Sequence, residues 1–233
     1  WDTTSDLDET DWLALPPQHL RTIVSGRIFD DGLGQLEDVQ AKLRWYPHDI
    51  WLYLMANQWR RIDQEEPFMA RCGDVGDELG SRLVAMRQVN ELIRLCFLIE
   101  RQYAPYYKWF GTAFAQLNCA ASLTPILQAT FDATDWKTRE RHLSEAYVEV
   151  IQMHNGLAIT PPSDAKVSYF YDRPYLVSHA SRMVESLHNA IESPIVRQLP
   201  PHTGAIGQFV DSTDVLSSVE KVKKLMGIYE AEG

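Results

Sequence analysis

The chain has 233 residues and a mass of 26.7 kDa, which suits one large domain with a substantial core better than two independent domains. Hydrophobic residues make up 45% of the sequence and charged residues 23%, which excludes the disordered, collagen-like and disulfide-stapled classes. The 22 Lys and Arg residues against 32 Asp and Glu residues give a net charge of −10. Because such a surface repels phosphate backbones, we expect no nucleic-acid partner and no membrane attachment, although a local basic pocket could still take a small anion.

The cysteines and the apolar runs indicate in which cellular compartment the protein is expected. Cys72, Cys96 and Cys119 are odd in number and widely spaced, which argues against a disulfide framework and for a reducing compartment. Apolar runs such as residues 95–99 are far too short for a membrane span, and no signal-peptide pattern is present. The sequence therefore predicts a cytoplasmic protein. Since it opens with Trp1-Asp2 rather than methionine, we expect it to be a fragment of something longer.

Residues 1–46 predict an acidic arm with short helices. Acidic residues crowd its beginning, and Pro16-Pro17 then precede a short helix through Leu20. Glycines between residues 26 and 34 separate this helix from a second one, which ends near Trp45. At Pro47 the pattern changes to apolar residues at three- and four-residue spacings, so we interpret 47–233 as a helical bundle domain.

The strongest helical pattern in the bundle runs from about residue 74 to residue 102, with carboxylates in its first turn and Pro105 beyond its end. Further helices are predicted over 105–117, 122–131, 135–154, 177–191 and 214–229. A Pro-rich, aromatic stretch over 159–175 predicts an ordered loop. Since period-2 alternation does not recur, the predicted fold class is all-α: a helical bundle with an irregular N-terminal arm and a Pro-rich aromatic loop.

Arg94 stands out because every other residue of the run 92–99 is apolar, so its guanidinium needs a partner. Arg87 and Arg101 lie seven residues to either side, and a helix places all three on one stripe because each heptad drifts by only ~20°. The stripe is either a structural salt-bridge network, which spacing alone favours, or a basic strip for a polyanion such as a triphosphate. Nearby acidic candidates include Glu65, Glu66, Asp74, Asp77, Glu78, Glu91 and Glu100.

Lys108 continues the seven-residue spacing, although Pro105 lies between it and the helix. It stands among aromatic rings in Tyr106-Tyr107-Lys108-Trp109, an arrangement that could place an ammonium group in a pocket. The other tryptophans mostly follow apolar stripes and are better explained by core packing.

Three weaker motifs have plainer explanations. Asp6-Leu7-Asp8 lacks the upstream Gly-Ser turn of a magnesium-binding acid pair and is better read as a solvated acidic turn. The glycine-rich segment 73–80 lacks the Lys-Ser/Thr of a P-loop and indicates a capped helix start. Arg173 to His179 and Arg182 to His188 overlap the loose Arg-x4-6-His pattern of helical HEPN ribonucleases, which arises easily by chance.

Seven blocks of the sequence carry a family resemblance: GRIF (26–29), YPHDIWLY (46–53), QEEPFMAR (64–71), GDELGS (76–81), YAPYYKWFG (103–111), DRPY (172–175) and GAIGQFVDST (204–213). In these blocks the chain resembles the bacterial family catalogued as domain of unknown function 4037, over nearly its whole length. Members of that family typically carry a nucleotidyltransferase-like domain with a Gly-Ser turn and paired acids before the helical region. The resemblance implies that this chain is the helical half and that the N-terminal half is its missing partner.

By analogy with aminoglycoside nucleotidyltransferases, the resemblance implies roles for a few residues. Lys108 and Arg94 would touch a triphosphate, and Glu65 or Glu66 would bind or deprotonate an acceptor hydroxyl. Magnesium and a nucleoside triphosphate are expected only with a complete N-terminal domain, so this chain by itself would carry no cofactor.

The leading hypothesis is a helical substrate- or nucleotide-binding domain of a nucleotidyltransferase-like protein, inactive without the catalytic domain. The candidate binding residues are Arg87, Arg94, Arg101, Lys108, Tyr106, Glu65, Glu66, Asp77 and Arg173, with no metal ligand and no catalytic residue expected in this chain. The alternatives are a non-catalytic protein-interaction module, acting through the acidic arm or exposed aromatic residues, and a HEPN-like ribonuclease.

Overall fold

The structure, a computed structural model, describes residues 6–229 and confirms an all-α fold with one small β-hairpin. The helices are α1 (Glu9–Ala14), α2 (Pro17–Ser25), α3 (Gln35–Lys42), α4 (His48–Asp63), α5 (Phe68–Asp74), α6 (Glu78–Ile99), α7 (Tyr107–Phe114), α8 (Ala120–Asp132), α9 (Trp136–Gly156), α10 (Ser181–Ala190), α11 (Pro194–Arg197), α12 (Ile206–Phe209), α13 (Thr213–Leu216) and α14 (Val219–Leu225). Strands β1 (Ser168–Phe170) and β2 (Arg173–Val177) form the hairpin, and a 3-10 turn, Met226–Tyr229, follows α14.

Helix α4 lies at the centre of the core because residues 50–56 are all apolar and all buried. Its buried residues include Trp51 and Trp59, and it packs against α6 on one side and α10 on another. Helix α6 also contacts α5, α8 and α9. The long helices therefore share one core, as the amphipathic patterns predict.

The sequence predicts one helix over about 74–102, whereas α6 begins later and ends earlier, at Glu78 and Ile99. Asp77 caps the N-terminus of α6 by accepting a 2.8 Å hydrogen bond from the Gly80 N–H. At the other end, Arg101 has a left-handed backbone (φ 53°), the Gln102 N–H donates to the Phe97 carbonyl at 2.8 Å, and the Arg101 N–H donates to the Leu98 carbonyl at 3.2 Å. This is a Schellman ending. Arg101 thus lies outside the helix, and the predicted arginine stripe stops at Arg94.

The prediction of a loop over 159–175 is wrong at its C-terminal end. Strands β1 and β2 pair antiparallel there, with Ser168 opposite Val177 and a turn at Tyr171, whose φ is 54°. Tertiary contacts hold the second strand in place, since the Leu176 N–H donates to Glu140 at 2.9 Å and the Tyr175 hydroxyl donates to Asp74 at 3.0 Å. Helix α10 therefore begins after the strand, at Ser181, rather than at residue 177.

The C-terminal helix predicted over 214–229 is broken into α13, α14 and the 3-10 turn. The Ser218 hydroxyl caps α14, so two serines at the break end one helix and begin the next. Periodicity did not predict α1, α11 and α12, which are too short to show a repeat.

The described part of the predicted arm contributes to the main core. Trp12, Leu13, Leu20, Leu43 and Tyr46 are all buried in the cluster that contains α4 and α6. Helix α3, in contrast, buries no residue. Trp1 and Asp2, which began the acidic arm, lie outside the described residues. Across residues 6–229, no helix combines the length and apolarity needed to cross a bilayer.

Candidate functional site

A cleft of about 300 Å³ opens where the start of α2, the helices α6 and α7, and the segment 207–217 meet. We call it the Arg94 cleft. Its lining residues are Pro16, Pro17, Gln18, His19, Arg94, Ala104, Pro105, Tyr106, Tyr107, Phe110, Gly207, Val210, Asp211, Thr213, Leu216 and Ser217. Its volume and largely apolar lining are typical of sites for small molecules.

One wall of the cleft is formed by α2 and the segment that precedes α7. Pro17 is the first residue of α2, where a proline costs no backbone hydrogen bond. The Tyr106 N–H donates to the Gln18 side chain at 3.0 Å, and Arg21 donates to the Tyr103 carbonyl at 2.8 Å. These two bonds hold the loop before α7 against α2.

A second wall is formed in part by Gly207 of α12, a helix whose position depends on this glycine. A Cβ atom at Gly207 would lie 2.7 Å from Pro17 Cδ, so only glycine permits α12 to approach α2 this closely. The Gln208 side chain accepts from the Ala205 N–H at 2.9 Å and donates to the Leu54 carbonyl and to Gln58, each at 3.0 Å. Four residues of helical turn are thereby fixed on the surface of α4.

Arg94 projects from α6 between these walls and is half-buried. One guanidinium nitrogen donates to the Gly207 carbonyl at 2.8 Å, and a second lies 3.5 Å from the Tyr107 hydroxyl. The guanidinium carbon is 5.6 Å from the centroid of the Tyr107 ring and 5.7 Å from that of Phe110, which are cation–π distances. Among residues 6–229, no carboxylate lies within 4.0 Å of Arg94.

The carboxylate one turn before Arg94 is already committed to another arginine. Glu91 accepts from Arg61 at 2.9 and 3.0 Å and from Gln58 at 2.7 Å. Burial alone would raise the pKa of Glu91, but Arg61, with smaller contributions from Gln58 and Arg94, holds it below its ordinary value. The positive charge of Arg94 is therefore left facing the cleft.

The cleft combines a cation, aromatic faces and a polar rim. Tyr107 and Phe110 offer ring surface beside the guanidinium, while His19 and Asp211 supply hydrogen-bonding groups. A guanidinium with free N–H donors binds carboxylate or phosphate oxygens in a fork geometry. The arrangement can thus hold a small molecule that joins a flat ring to an anionic group.

Two of the nine predicted site residues, Arg94 and Tyr106, line the cleft, and the other seven lie elsewhere. Arg87 is exposed and forms a two-bond ion pair with Glu65, at 2.6 and 2.9 Å, as the salt-bridge interpretation expects. The Arg101 guanidinium lies 4.4 Å from the Trp51 ring centroid, and the Lys108 ammonium lies 5.4 Å from that of Trp109. Neither Arg101 nor Lys108 lines the Arg94 cleft.

Glu66, Asp77 and Arg173 also lie outside the cleft. Glu66 is buried, accepts bonds from the Ser178 hydroxyl and the His179 N–H, and so holds the start of α10. Burial is the main cause that raises its pKa from 4.5 to about 7, and Asp63 adds to the rise. Asp77 is the cap of α6, and Arg173 is exposed with its Nε 3.7 Å from Asp172.

Periodicity missed most of the cleft, including Tyr107, Phe110, Gly207, His19 and Asp211. Two of the resemblance blocks, 103–111 and 204–213, both contribute residues to the lining of the cleft. The sequence marked each block separately, but only the structure shows that the two blocks meet at one cleft. Within residues 6–229, no group of three or more His, Cys, Asp and Glu side chains is arranged to hold a metal ion.

Fold and cleft define an all-α protein with a cleft of the size and lining that small-molecule sites have. In the comparison with known families, residues 12–110 match the family described as Domain of unknown function (DUF4037). The match covers the first four resemblance blocks and all but the last residue of the fifth, while the blocks 172–175 and 204–213 lie beyond it. No curated protein and no solved structure matches the chain.

Proposed function

We propose that this chain is a helical ligand-binding domain whose Arg94 cleft takes a small molecule with a flat ring and an anionic group, a nucleoside triphosphate being the leading candidate. The observation that carries the proposal is the Arg94 guanidinium, which faces a preformed cleft with no carboxylate among the described residues within 4.0 Å.

The Arg94 guanidinium lacks a counter-ion among the described residues. A partly buried charge is costly unless it is paired, and Arg94 has one backbone carbonyl and two ring faces in place of a counter-ion. Arginine has five N–H donors, so the Gly207 carbonyl leaves several available. An anionic ligand would complete this pairing, and its ring would cover apolar surface of Tyr107 and Phe110.

We further propose that the domain belongs to a nucleotidyltransferase-like protein, in which a separate catalytic domain supplies the acids that bind magnesium. The match of residues 12–110 supports the family resemblance from which this idea comes. On this proposal the chain binds the nucleotide but does not transfer it. The coding sequence directly upstream of Trp1 tests this part: a Gly-Ser turn with paired acids supports it, and a start codon at that point contradicts it.

The binding proposal is tested by thermal unfolding of the chain with each nucleoside triphosphate, with and without magnesium. A ligand at 100 times its Kd adds about 2.7 kcal/mol of stability, which raises the Tm of a chain of this size by several degrees. We expect Arg94→Met to lower the affinity about tenfold or more, because a charge-assisted hydrogen bond is removed.

Arg87→Met is the matched control, since Arg87 lies on the same helix but its guanidinium is occupied by Glu65. It should leave nucleotide affinity unchanged. Lys108→Ala adds a second comparison: the aminoglycoside analogy predicts a loss, whereas the position of Lys108 outside the lining predicts none. The proposal fails if no triphosphate stabilises the chain, or if Arg94→Met and Arg87→Met behave alike.

The two alternatives have weaker support in the structure. The ribonuclease would need an arginine held beside its histidine, but Arg182 donates to the backbone carbonyls of Ser178, His179 and Asp164, and Arg173 is exposed beside Asp172.

The interaction module was predicted to act through the acidic arm or exposed aromatic residues. The structure adds an exposed apolar stripe along the first half of α6, formed by Leu79, Leu83 and Met86. Exposed side chains do not specify the chemistry of a partner, whereas the Arg94 cleft specifies an anionic group, so ligand binding is the better-supported function.

A further inference from the structure

A second pocket, of about 270 Å³, lies beside the C-terminal half of α2 and shares no lining residue with the Arg94 cleft. Three of its lining residues are arginines: Arg21, Arg44 and Arg101. We call it the three-arginine pocket. The other lining residues are Val24, Ser25, Gln102 and Tyr103, none of which is acidic.

The charges in this pocket are not neutralised by the protein as described. Among residues 6–229, no carboxylate lies within 4.0 Å of any of the three guanidinium groups. Arg21 is anchored by its 2.8 Å bond to the Tyr103 carbonyl, and Arg101 is stacked near Trp51. Arg44 is exposed.

The positive charge of this pocket is opposite in sign to the net charge of the whole chain. The protein has ten more acidic than basic residues, so unpaired arginines gathered in one pocket are not explained by a generally basic surface. Like charges in one pocket repel one another, and an anion removes this repulsion by attracting all of them. A dianion gains more than a monoanion, because it can pair with more than one guanidinium.

The backbone at Arg101 determines which substitution can test its side chain. Its φ of 53° places it at the helix-ending position where glycine is the usual residue, since a side chain is strained in the left-handed region. Replacing Arg101 by glycine therefore removes the guanidinium without forcing the backbone to change.

We propose that the three-arginine pocket binds the phosphoryl group of a small phosphorylated molecule. The pocket, of about 270 Å³, has room for a phosphoryl group and the atoms attached to it. Guanidinium groups are the donors that match phosphate oxygens best in geometry. This inference does not depend on the Arg94 cleft or on a nucleotidyltransferase parent.

The test is calorimetric titration of the whole chain with inorganic phosphate and with pyrophosphate, at pH 7.5 and at an ionic strength held constant with sodium chloride. We expect saturable binding of at least one of the two. Arg44→Gln and Arg101→Gly should each lower the affinity about tenfold or more, because each removes a charge-assisted contact. Glycine is chosen at Arg101 because the left-handed backbone accepts it, which protects the fold.

A matched control variant locates the site. Arg27→Gln removes an exposed arginine outside the pocket and should leave the affinity unchanged. The inference is overturned if neither anion binds, or if Arg27→Gln weakens binding as much as Arg44→Gln. Thermal unfolding of each variant without anion confirms that a loss of binding is not a loss of fold.

Discussion

At the scale of single residues, burial acts in opposite directions on two titratable groups of the core. Burial raises the pKa of Glu66 to about 7, and it lowers the pKa of His154 to about 4. The neutral histidine fits its surroundings, because Trp59 donates to its Nδ1 at 3.2 Å. In each case the charged form is disfavoured, since neither group has an opposite charge beside it.

The Glu66 shift predicts how the free energy of unfolding depends on pH. Between about pH 4.5 and pH 7 the folded state keeps a proton on Glu66 that the unfolded state releases, so stability falls as pH rises. The loss from this group is on the order of 3 kcal/mol. His154 contributes with the opposite sign between about pH 4 and pH 6.5, because there the unfolded state binds the proton.

Glu66→Gln separates the two effects. Relative to the wild-type chain, this variant should gain stability steadily from pH 4.5 to pH 7 and show no further relative change above it. Urea unfolding at half-unit intervals of pH measures the difference. Glu65→Gln is the control, since Glu65 is paired with Arg87 outside the core. Parallel curves for the wild-type chain and Glu66→Gln would show that Glu66 ionises normally in the folded state.

At the scale of secondary-structure elements, a helix of only four residues has a large effect on the shape of the site. Helix α12 has four residues, yet its Gly207 carbonyl is the hydrogen-bond partner of Arg94. It holds its position through the Gln208 bonds to α4 and through close packing against Pro17. Isolated helices of this length are not stable in water, so α12 exists because of these tertiary contacts.

Gly207→Ala should therefore damage the cleft. The added methyl group would meet Pro17 Cδ at 2.7 Å, so α12 must move, and the overpacking should cost roughly 1–3 kcal/mol. We expect weaker nucleotide binding as well, because the carbonyl that positions Arg94 moves with α12. Urea unfolding and calorimetry measure the two effects.

Gly111→Ala is the matched control for this substitution. A Cβ atom at Gly111 meets nothing within 4 Å, and alanine is a better helix former than glycine by up to about 1 kcal/mol. It should be neutral or stabilising and leave binding unchanged. Equal stability of Gly207→Ala and the wild-type chain would mean that α12 does not pack closely against α2.

At the scale of the whole molecule, the N-terminal segment and the bundle share one core. Leu20 of α2 and Leu43, which directly follows α3, are fully buried in the same cluster as Trp51 and Trp59. The Tyr103 hydroxyl donates to the Leu43 carbonyl at 2.9 Å, which joins the segment to the end of α6. A shared core predicts that the two parts unfold together.

Leu20→Ala tests this shared core. Removing a fully buried leucine should cost about 2–5 kcal/mol and shift the entire unfolding transition, seen alike by far-UV circular dichroism and tryptophan fluorescence. Leu33→Ala, at an exposed position before α3, should change the stability by no more than about 0.5 kcal/mol. Two separate transitions, of which only one shifts, would show that residues 1–46 fold independently.

Sequence periodicity predicted the long helices best. The periods of α4, α6 and α9 were visible because each helix is long enough to repeat its apolar face several times. Arg94 was identified because a lone charge in an apolar run must find a partner. The hairpin and α12 were not predicted, because their stability comes from residues elsewhere in the chain, such as Glu140 and Gln58.

The amino-acid sequence by itself determined the all-α class, the positions of the main helices and the presence of Arg94 within an apolar helical run. These properties depend on the spacing of residues along the chain, which the sequence gives directly. Which arginine is neutralised and which is left open was decided only by the tertiary structure. Arg87 meets Glu65 across a helix packing contact, Arg94 meets a backbone carbonyl 113 residues away, and Arg101 joins Arg21 and Arg44 around a second pocket. Such pairings depend on how the helices pack against one another. The periodicity of the sequence does not specify which residues far apart in the chain come into contact.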